Sequence, residues 1–155
     1  MDYFQGVVAE YLRANRSTFI NPEFYLQLDE PALKGESWFV DLLALSFADS
    51  AAYLCEVTYD KTAGSLVKRL SMWSTHWPRV LEAIRRDANL PIGWTVRPWL
   101  FLPEAGIRAL VAKLPVHLVT PRITPLEMTQ PWRYCGWDRS GEGVKPNTIP
   151  AEMRT

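Results

Sequence analysis

The spacing of apolar residues predicts a helix and then an edge strand at the start of the chain. Apolar side chains recur at three- and four-residue intervals and polar residues follow, as in an amphipathic helix; they are Phe4, Val7, Val8, Tyr11 and Leu12. Residues 18–28 turn to a β-like pattern around Pro22. Because proline cannot donate to a sheet ladder, this strand is expected at an edge.

Two nearly continuous apolar runs follow, at 38–45 and 52–59, and each contains one acid. Such runs are typical of strands buried on both faces, and the turn residues between them predict a central hairpin. If the hairpin closes about residues 48 and 49, the numbers of paired residues sum to 97 and Asp41 lies opposite Glu56. A sum of 99 leaves the two acids as diagonal neighbours on one face, whereas an even sum separates them.

The next apolar pattern, from Leu66 to Ile84, predicts the longest amphipathic helix. Pro78 lies within it, so the helix either kinks near His76 or divides in two; we favour the kink and expect a structural histidine. A strand at 94–102, a helix at 103–114 and a strand at 116–119 follow. The predicted order is αβββαβαβ, an α/β domain with a mixed central sheet flanked by helices.

Composition changes the picture at the C-terminal end. Residues 121–155 hold five of the twelve prolines and show no sustained periodicity, so we expect a core domain at 1–120 and a Pro-rich tail at 121–155. Three large aromatics in the tail, Trp132, Tyr134 and Trp137, are expected to dock either on the core or in a homodimer contact.

Neither a membrane span nor cysteine chemistry is predicted. No run approaches the roughly 18 apolar residues that a span needs, and the first residues lack the basic start of a signal peptide, so we expect a cytoplasmic protein. The two cysteines match no metal-ligand spacing, and Cys55 is expected to be a buried free thiol.

The net charge of zero conceals an asymmetry between the two parts of the chain. Residues 1–59 carry three Lys or Arg against nine Asp or Glu, and residues 60–155 carry fourteen against eight. This pattern indicates either an acidic metal site beside a basic surface for polyanions, or two parts of one domain that neutralise each other. Both interpretations remain open.

Opposed carboxylates in apolar strands need a compensating charge. Like charges directly opposite each other destabilise a sheet, and a divalent cation is one remedy. Carboxylate oxygens suit Mg²⁺, and such a site suits phosphodiester hydrolysis. The alternative is structural: one acid is protonated, or each pairs with an Arg or Lys from the second part of the chain.

With these residues in place, the chain resembles the PD-(D/E)XK, or restriction-endonuclease-like, nuclease superfamily. The resemblance lies in Val40-Asp41, in Glu56-Val57-Thr58, and in the order αβββαβ over roughly residues 2–102. It implies a nuclease fold that uses Mg²⁺ or Mn²⁺ to hydrolyse DNA. It further implies that Asp41 and Glu56 bind the metal, with the Val57 carbonyl close by.

One position departs from this family pattern. Thr58 stands where the family carries a lysine, and it can donate a hydrogen bond but brings no positive charge. Lys61 and Lys68 are the candidates to supply the ammonium group, although either could be an ordinary surface residue. Glu10 in the first helix is a candidate third metal ligand, as in several branches of the family, or an exposed glutamate.

Three classes of function remain open on the sequence alone. The first is a metal-dependent endonuclease or exonuclease of a phage, mobile element or defence system, whose DNA phosphates contact Lys61, Lys68, Arg69 and Arg79. The second is a catalytically inactive nuclease-fold module that binds nucleic acid or a protein partner. The third is a small assembly protein that uses its aromatic tail, which leaves the two strand acids unexplained.

Overall fold

The computed structural model describes residues 1–28, 38–138 and 143–146, with side chains in the first range and up to residue 133 of the second. The helices are α1 (Tyr3–Arg13), α2 (Gly64–Thr75), α3 (Trp77–Asp87), α4 (Glu104–Val111) and the short α5 (Pro131–Tyr134). The strands are β1 (Thr18–Tyr25), β2 (Phe39–Ser46), β3 (Ala51–Val57), β4 (Thr95–Leu102), β5 (Arg122–Pro125), β6 (Cys135–Asp138) and β7 (Gly143–Pro146). Among these residues, no helix has both the length and the apolar character to cross a membrane.

Five strands form one mixed sheet in the order β1-β2-β3-β4-β5. The first three strands are antiparallel neighbours, whereas β4 lies parallel to β3 and β5 parallel to β4. Parallel neighbours need crossover connections, which α2 with α3 and then α4 provide. The predicted α/β class with a mixed sheet and flanking helices is therefore confirmed, as is the edge position of β1.

Helices cover both faces of this sheet. On one face, α1 packs through Val8, Tyr11 and Leu12 against Tyr53 and other side chains of the central strands. On the opposite face, α2, α3 and α4 contribute the other apolar cluster, which includes Leu70, Trp73, Ile84 and Leu110. Cys55 is a buried free thiol, as predicted. The central strands are consequently shielded on both sides, which explains their near-continuous apolar sequences.

The β2–β3 hairpin has the first register predicted from the sequence. Its ladder pairs Leu42 with Cys55 and Ser46 with Ala51, so paired numbers sum to 97. One step beyond the last of these pairs, the same register places Asp41 opposite Glu56. The two acids therefore lie at the end of the hairpin remote from its turn.

The favoured kink at Pro78 is wrong. The segment forms two helices, because α2 ends at Thr75 and α3 begins at Trp77, with His76 between them at φ −112° and ψ 19°. Pro78 occupies the first turn of α3. There its missing N–H costs nothing, whereas inside a continuous helix its ring would clash with the preceding turn.

The strand expected at 116–119 is also wrong. No strand is present at those positions, and Val116 is 93% exposed. The fifth strand is instead β5, whose polar Arg122 and Thr124 are buried. Arg122 lies over the Trp99 ring, 3.9 Å from its centroid, and the Trp99 indole N–H donates to Thr124 Oγ1 at 2.9 Å. The central sheet therefore continues beyond residue 120, into the segment that was expected to be a tail.

Candidate active site

Asp41 and Glu56 line one small pocket at the end of the β2–β3 hairpin. Its volume is about 140 Å³, and residues of α1, α2 and the central strands surround it. The lining residues are Gln5, Asp41, Glu56, Val57, Thr58, Ser65, Leu66 and Arg69. The convergence of the two acids that the hairpin register predicted is therefore present in the structure.

The Asp41 carboxylate accepts a backbone hydrogen bond where the ladder between β2 and β3 ends. Its Oδ2 accepts a 2.8 Å hydrogen bond from the Val57 N–H, just past the last paired residues of β2 and β3. Burial raises the pKa of Asp41, while the Val57 N–H, the charge of Arg69 and a hydrogen bond from Gln5 oppose that rise. Asp41 is thus held in place by β3, and it interacts with Gln5 of α1 and with Arg69 of α2.

Glu56 is the more buried acid, with only 5% of its surface exposed. Its Oε2 lies 3.5 Å from Nε of Arg69, whereas its buried Oε1 has no hydrogen-bond partner among the described residues. Burial, followed by the charge of Asp41, raises the pKa of Glu56 well above its usual range, against the charge of Arg69 and a hydrogen bond from the Asp41 N–H. Arg69 therefore does not fully offset the cost of an ionised Glu56 at this position.

Arg69 supplies the positive charge inside the pocket. Its side chain is a quarter exposed, and in addition to the Glu56 contact its Nη1 donates to the Phe39 carbonyl at the start of β2. Leu66 and Arg69 lie three residues apart and therefore on one face of α2, so packing of Leu66 in the core turns Arg69 toward the sheet. From the sequence, Arg69 was predicted only as a contact for DNA phosphates.

Neither candidate lysine lines the pocket. Lys61 and Lys68 are both exposed. The backbone of Lys61 packs against Gly106 of α4, where an added Cβ would lie 3.2 Å from the Lys61 carbonyl oxygen. Thr58 does line the pocket, and its hydroxyl accepts the Asp60 N–H at 3.2 Å. The ammonium group expected near the acids is thus replaced by the guanidinium of Arg69.

Glu10 and Arg79 also lie apart from the carboxylate pocket. Glu10 is exposed and pairs with Arg13 at 2.6 Å. Arg79 lines a different surface pocket together with Glu82 and Arg86 of α3. Successive helical residues are rotated by about 100°, so Glu10 and the pocket residue Gln5 project from different sides of α1.

Gln5 and Ser65 are pocket residues that the sequence reasoning missed. The signal for Gln5 was present, since Asp2 and Gln5 have the spacing of a capping box and both of its hydrogen bonds are formed. That box holds the first turn of α1, and with it Gln5, beside Asp41. Ser65 lies in the first turn of α2, which follows the N-cap residue Ala63.

The described residues contain no group of three or more His, Cys, Asp or Glu side chains that could together hold a metal ion. Comparisons with protein-family models, with curated proteins and with solved structures found no match. The resemblance to the PD-(D/E)XK superfamily consequently rests on the residues and the strand arrangement of this chain alone.

Proposed function

We propose that this chain is a divalent-metal-dependent nuclease that hydrolyses phosphodiester bonds of DNA at the Asp41–Glu56 pocket. The observation that carries the proposal is the convergence of the two carboxylates, with Glu56 Oε1 buried and lacking a hydrogen-bond partner among the described residues. A buried carboxylate oxygen without a partner is costly, and a bound cation is a direct way to satisfy it.

The donor set fits a hard divalent cation. Mg²⁺ sites commonly use one or two carboxylates and complete their coordination with water and substrate phosphate, so a third acid is not required. In a strand, the N–H and C=O of one residue point toward the same neighbour. Because the Val57 N–H faces Asp41, its carbonyl is suited to serve as a further oxygen donor. When bound, Mg²⁺ or Mn²⁺ would supply Lewis-acid polarisation of the phosphoryl group.

The strand arrangement also supports a restriction-endonuclease-like core. Asp41 belongs to β2 and Glu56 to β3 in the antiparallel β1-β2-β3 set, and β4 runs parallel to β3. One helix precedes this set and covers one face, and the helices after β3 cover the other. This is the arrangement that the resemblance implies for a metal-dependent nuclease.

Arg69 supplies the positive charge that a lysine supplies in the family. A guanidinium remains charged at any physiological pH and matches the geometry of a phosphate. The Phe39 carbonyl holds this guanidinium beside the acids, so it is positioned before substrate arrives. Arg69 would stabilise negative charge that develops on the phosphoryl oxygens, but it cannot serve as a proton donor.

The start of α2 adds a second attraction for a phosphate group. Ser65 and Leu66 in the first turn line the pocket, and the N-cap residue Ala63 makes no side-chain hydrogen bond to the helix, although the Asp60 carboxylate accepts the Gly64 N–H. The first N–H groups of a helix lack internal acceptors and carry the positive end of the helix dipole. An anion beside the two acids would therefore meet both this helix end and Arg69.

The alternative function is a catalytically inactive module that binds nucleic acid or a protein partner. The observation that favours it is the exposure of Lys61 and Lys68, which leaves the pocket without an ammonium group. In that account Arg69 is a structural counter-ion for Glu56, and the two acids only join β2, β3 and α2.

DNA cleavage by matched variants separates the two functions. Single- and double-stranded DNA are incubated with Mg²⁺ or Mn²⁺ and wild type, Asp41→Asn, Glu56→Gln or the exposed-acid control Glu10→Gln. We expect wild type and Glu10→Gln to cleave alike and the two pocket variants to fall to background. Arg69→Met should lower the rate by roughly a hundredfold, the typical effect of removing one group that stabilises transition-state charge.

The opposite results are equally specific. Metal-dependent cleavage that survives both Asp41→Asn and Glu56→Gln would assign the activity to another site or to a contaminant. Binding of DNA without cleavage in either metal would select the inactive module. Loss of activity in Lys61→Ala, with full activity in Arg69→Met, would assign the role proposed for Arg69 to the lysine.

A further inference from the structure

A second and larger pocket lies beside the carboxylate pocket. Its volume is about 620 Å³, and aromatic side chains contribute much of its wall. The lining residues are Phe4, Tyr59, Pro103, Leu126, Glu127, Gln130, Trp132 and Arg133. None of these residues lines the carboxylate pocket, so the proposed hydrolysis does not account for them.

The two pockets share two chain segments as walls. In α1, Phe4 lines the aromatic pocket and its neighbour Gln5 lines the carboxylate pocket. After β3, Tyr59 lines the aromatic pocket and its neighbour Thr58 lines the carboxylate pocket. Consecutive Cα atoms are about 3.8 Å apart. A chain molecule whose phosphate lies at Asp41 and Glu56 can therefore reach the aromatic pocket with its next residues.

The aromatic groups are arranged to receive flat ligands. Tyr59 stacks on Phe4, with ring centroids 5.0 Å apart and planes inclined by 27°, yet it remains 64% exposed. Phe4 thus supports one face of the Tyr59 ring and leaves much of the ring open. Trp132 is 76% exposed on the same pocket. Exposed aromatic residues that share one pocket form a contiguous apolar surface, which indicates a binding site more strongly than single exposed residues do.

One charged residue of each sign lies on the wall of this pocket. Arg133 brings a positive charge to the wall. Glu127 brings a negative one, but its carboxylate accepts the Glu104 N–H, at 3.0 and 3.3 Å, at the positive end of α4. Glu127 is therefore held at the start of α4 by the backbone, and Arg133 is the wall residue that attracts a phosphate.

We propose that the aromatic pocket binds nucleobases of a single-stranded nucleic acid next to the bond to be cut, with Tyr59 and Trp132 as stacking platforms. The inference rests on the proposed nuclease function and names its substrate as a single strand or a frayed end. In a duplex the base faces are already stacked on each other, whereas a single strand can offer them to aromatic side chains.

The test measures binding without cleavage. A fluorescein-labelled oligothymidylate of about twelve nucleotides, long enough for typical single-strand sites, is titrated with the protein in EDTA. An oligonucleotide of the same length with abasic residues carries the same phosphates but no bases, and a duplex of the same length hides them. The variants are Tyr59→Ala and Trp132→Ala, with Tyr59→Phe as the ring-retaining control and the exposed Phe47→Ala, at the opposite end of β2, as the site control.

We expect wild type to bind oligothymidylate about tenfold more tightly than the abasic strand, and Tyr59→Ala and Trp132→Ala to lose this preference. Tyr59→Phe and Phe47→Ala should retain it. Equal affinity for bases and abasic sites, stronger binding of the duplex, or no effect of either alanine variant would overturn the inference. A dimer that Tyr59→Ala dissociates would also overturn it, by assigning the pocket to a second copy of the chain.

The two proposals fail separately. Metal-dependent cleavage without a base preference would remove the stacking site and leave the nuclease. Base-dependent binding in EDTA without cleavage in any metal would confirm the stacking site on an inactive binding module.

Discussion

Glu56→Gln is the substitution that most directly tests whether the carboxylate pair is strained without a cation. The amide has nearly the shape of the carboxylate but no charge, so it removes the repulsion from Asp41, the cost of burying an ion and the attraction to Arg69. Without a bound cation, we expect this variant to be more stable than wild type at about pH 8, which is the reverse of the usual effect of a buried substitution.

The magnitude follows from three opposing contributions. Two charges about 5 Å apart, as for opposed strand residues, repel by about 3 kcal/mol at an effective dielectric constant of about 20. At the same dielectric constant, the 3.5 Å contact between Arg69 Nε and Glu56 Oε2 contributes an attraction of about 5 kcal/mol. Burial of the carboxylate costs several kcal/mol more, so the two costs together exceed the attraction by on the order of 1 kcal/mol. Arg69 is not left without a partner in the variant, because its charge also interacts with Asp41.

The gain should depend on pH in a defined direction. The pKa of Glu56 is raised in the folded protein, so the folded state holds more protons than the unfolded state between the ordinary and the raised pKa. The free energy of unfolding therefore falls as pH rises through that window, and it is highest below the ordinary carboxyl pKa. Glu56→Gln lacks this contribution, so its stability advantage over wild type should be small in acid and should grow by up to about 1.4 kcal/mol for each pH unit within that window.

Urea unfolding in EDTA, followed by tryptophan fluorescence at about pH 5 and about pH 8, measures the difference. Glu10→Gln is the control, because its exposed pair with Arg13 should change stability by less than about 1 kcal/mol at either pH. A Glu56→Gln protein that is less stable than wild type by the same amount at both pH values would refute the reasoning. It would mean that Arg69 fully compensates Glu56.

The remaining predictions concern the rest of the fold and position 58. Gly6→Ala in α1 should stabilise by about 0.5–1 kcal/mol in urea unfolding, since a Cβ there meets no atom within 4 Å; Gly106→Ala should lack this gain, because its Cβ would lie 3.2 Å from a backbone oxygen. An equal gain at both would contradict the packing. In a Cys135→Ser background, Cys55 should resist a thiol reagent until the protein unfolds, because burial raises its pKa; rapid labelling of the native protein would contradict this. Thr58→Lys should raise the metal-dependent cleavage rate by restoring an ammonium group, and an unchanged or lower rate would count against the family pattern.

The sequence was sufficient to predict that Asp41 and Glu56 lie on one face of the sheet as close neighbours. Each acid interrupts an apolar run, and a short turn between the runs restricts the hairpin to few registers. The two acids share a face whenever the numbers of paired residues add to an odd sum. The edge position of β1 was predictable for a similar reason, because Pro22 cannot serve a central strand. Local constraints of backbone geometry were enough in both places.

Features that depend on distant contacts could not be predicted in this way. The strand β5 contains buried Arg122 and Thr124, and it is stabilised by Trp99 from a neighbouring strand. The final strand was predicted instead at residues 116–119, because three of these four residues are apolar. Arg69 was assigned to a charged helix surface, and only the packing of Leu66 turns it toward Glu56. Tertiary contacts, and not local propensity, decided both positions.

The central claim, that Asp41 and Glu56 together hold a divalent cation, is tested most directly by Mn²⁺ binding. Electron paramagnetic resonance of free Mn²⁺ gives the amount bound to wild type, Asp41→Asn, Glu56→Gln and the control Glu10→Gln. We predict one ion per chain in wild type and Glu10→Gln, and affinity at least about tenfold weaker in each pocket variant. Absence of Mn²⁺ binding by wild type, or binding that both pocket variants retain, would contradict the account.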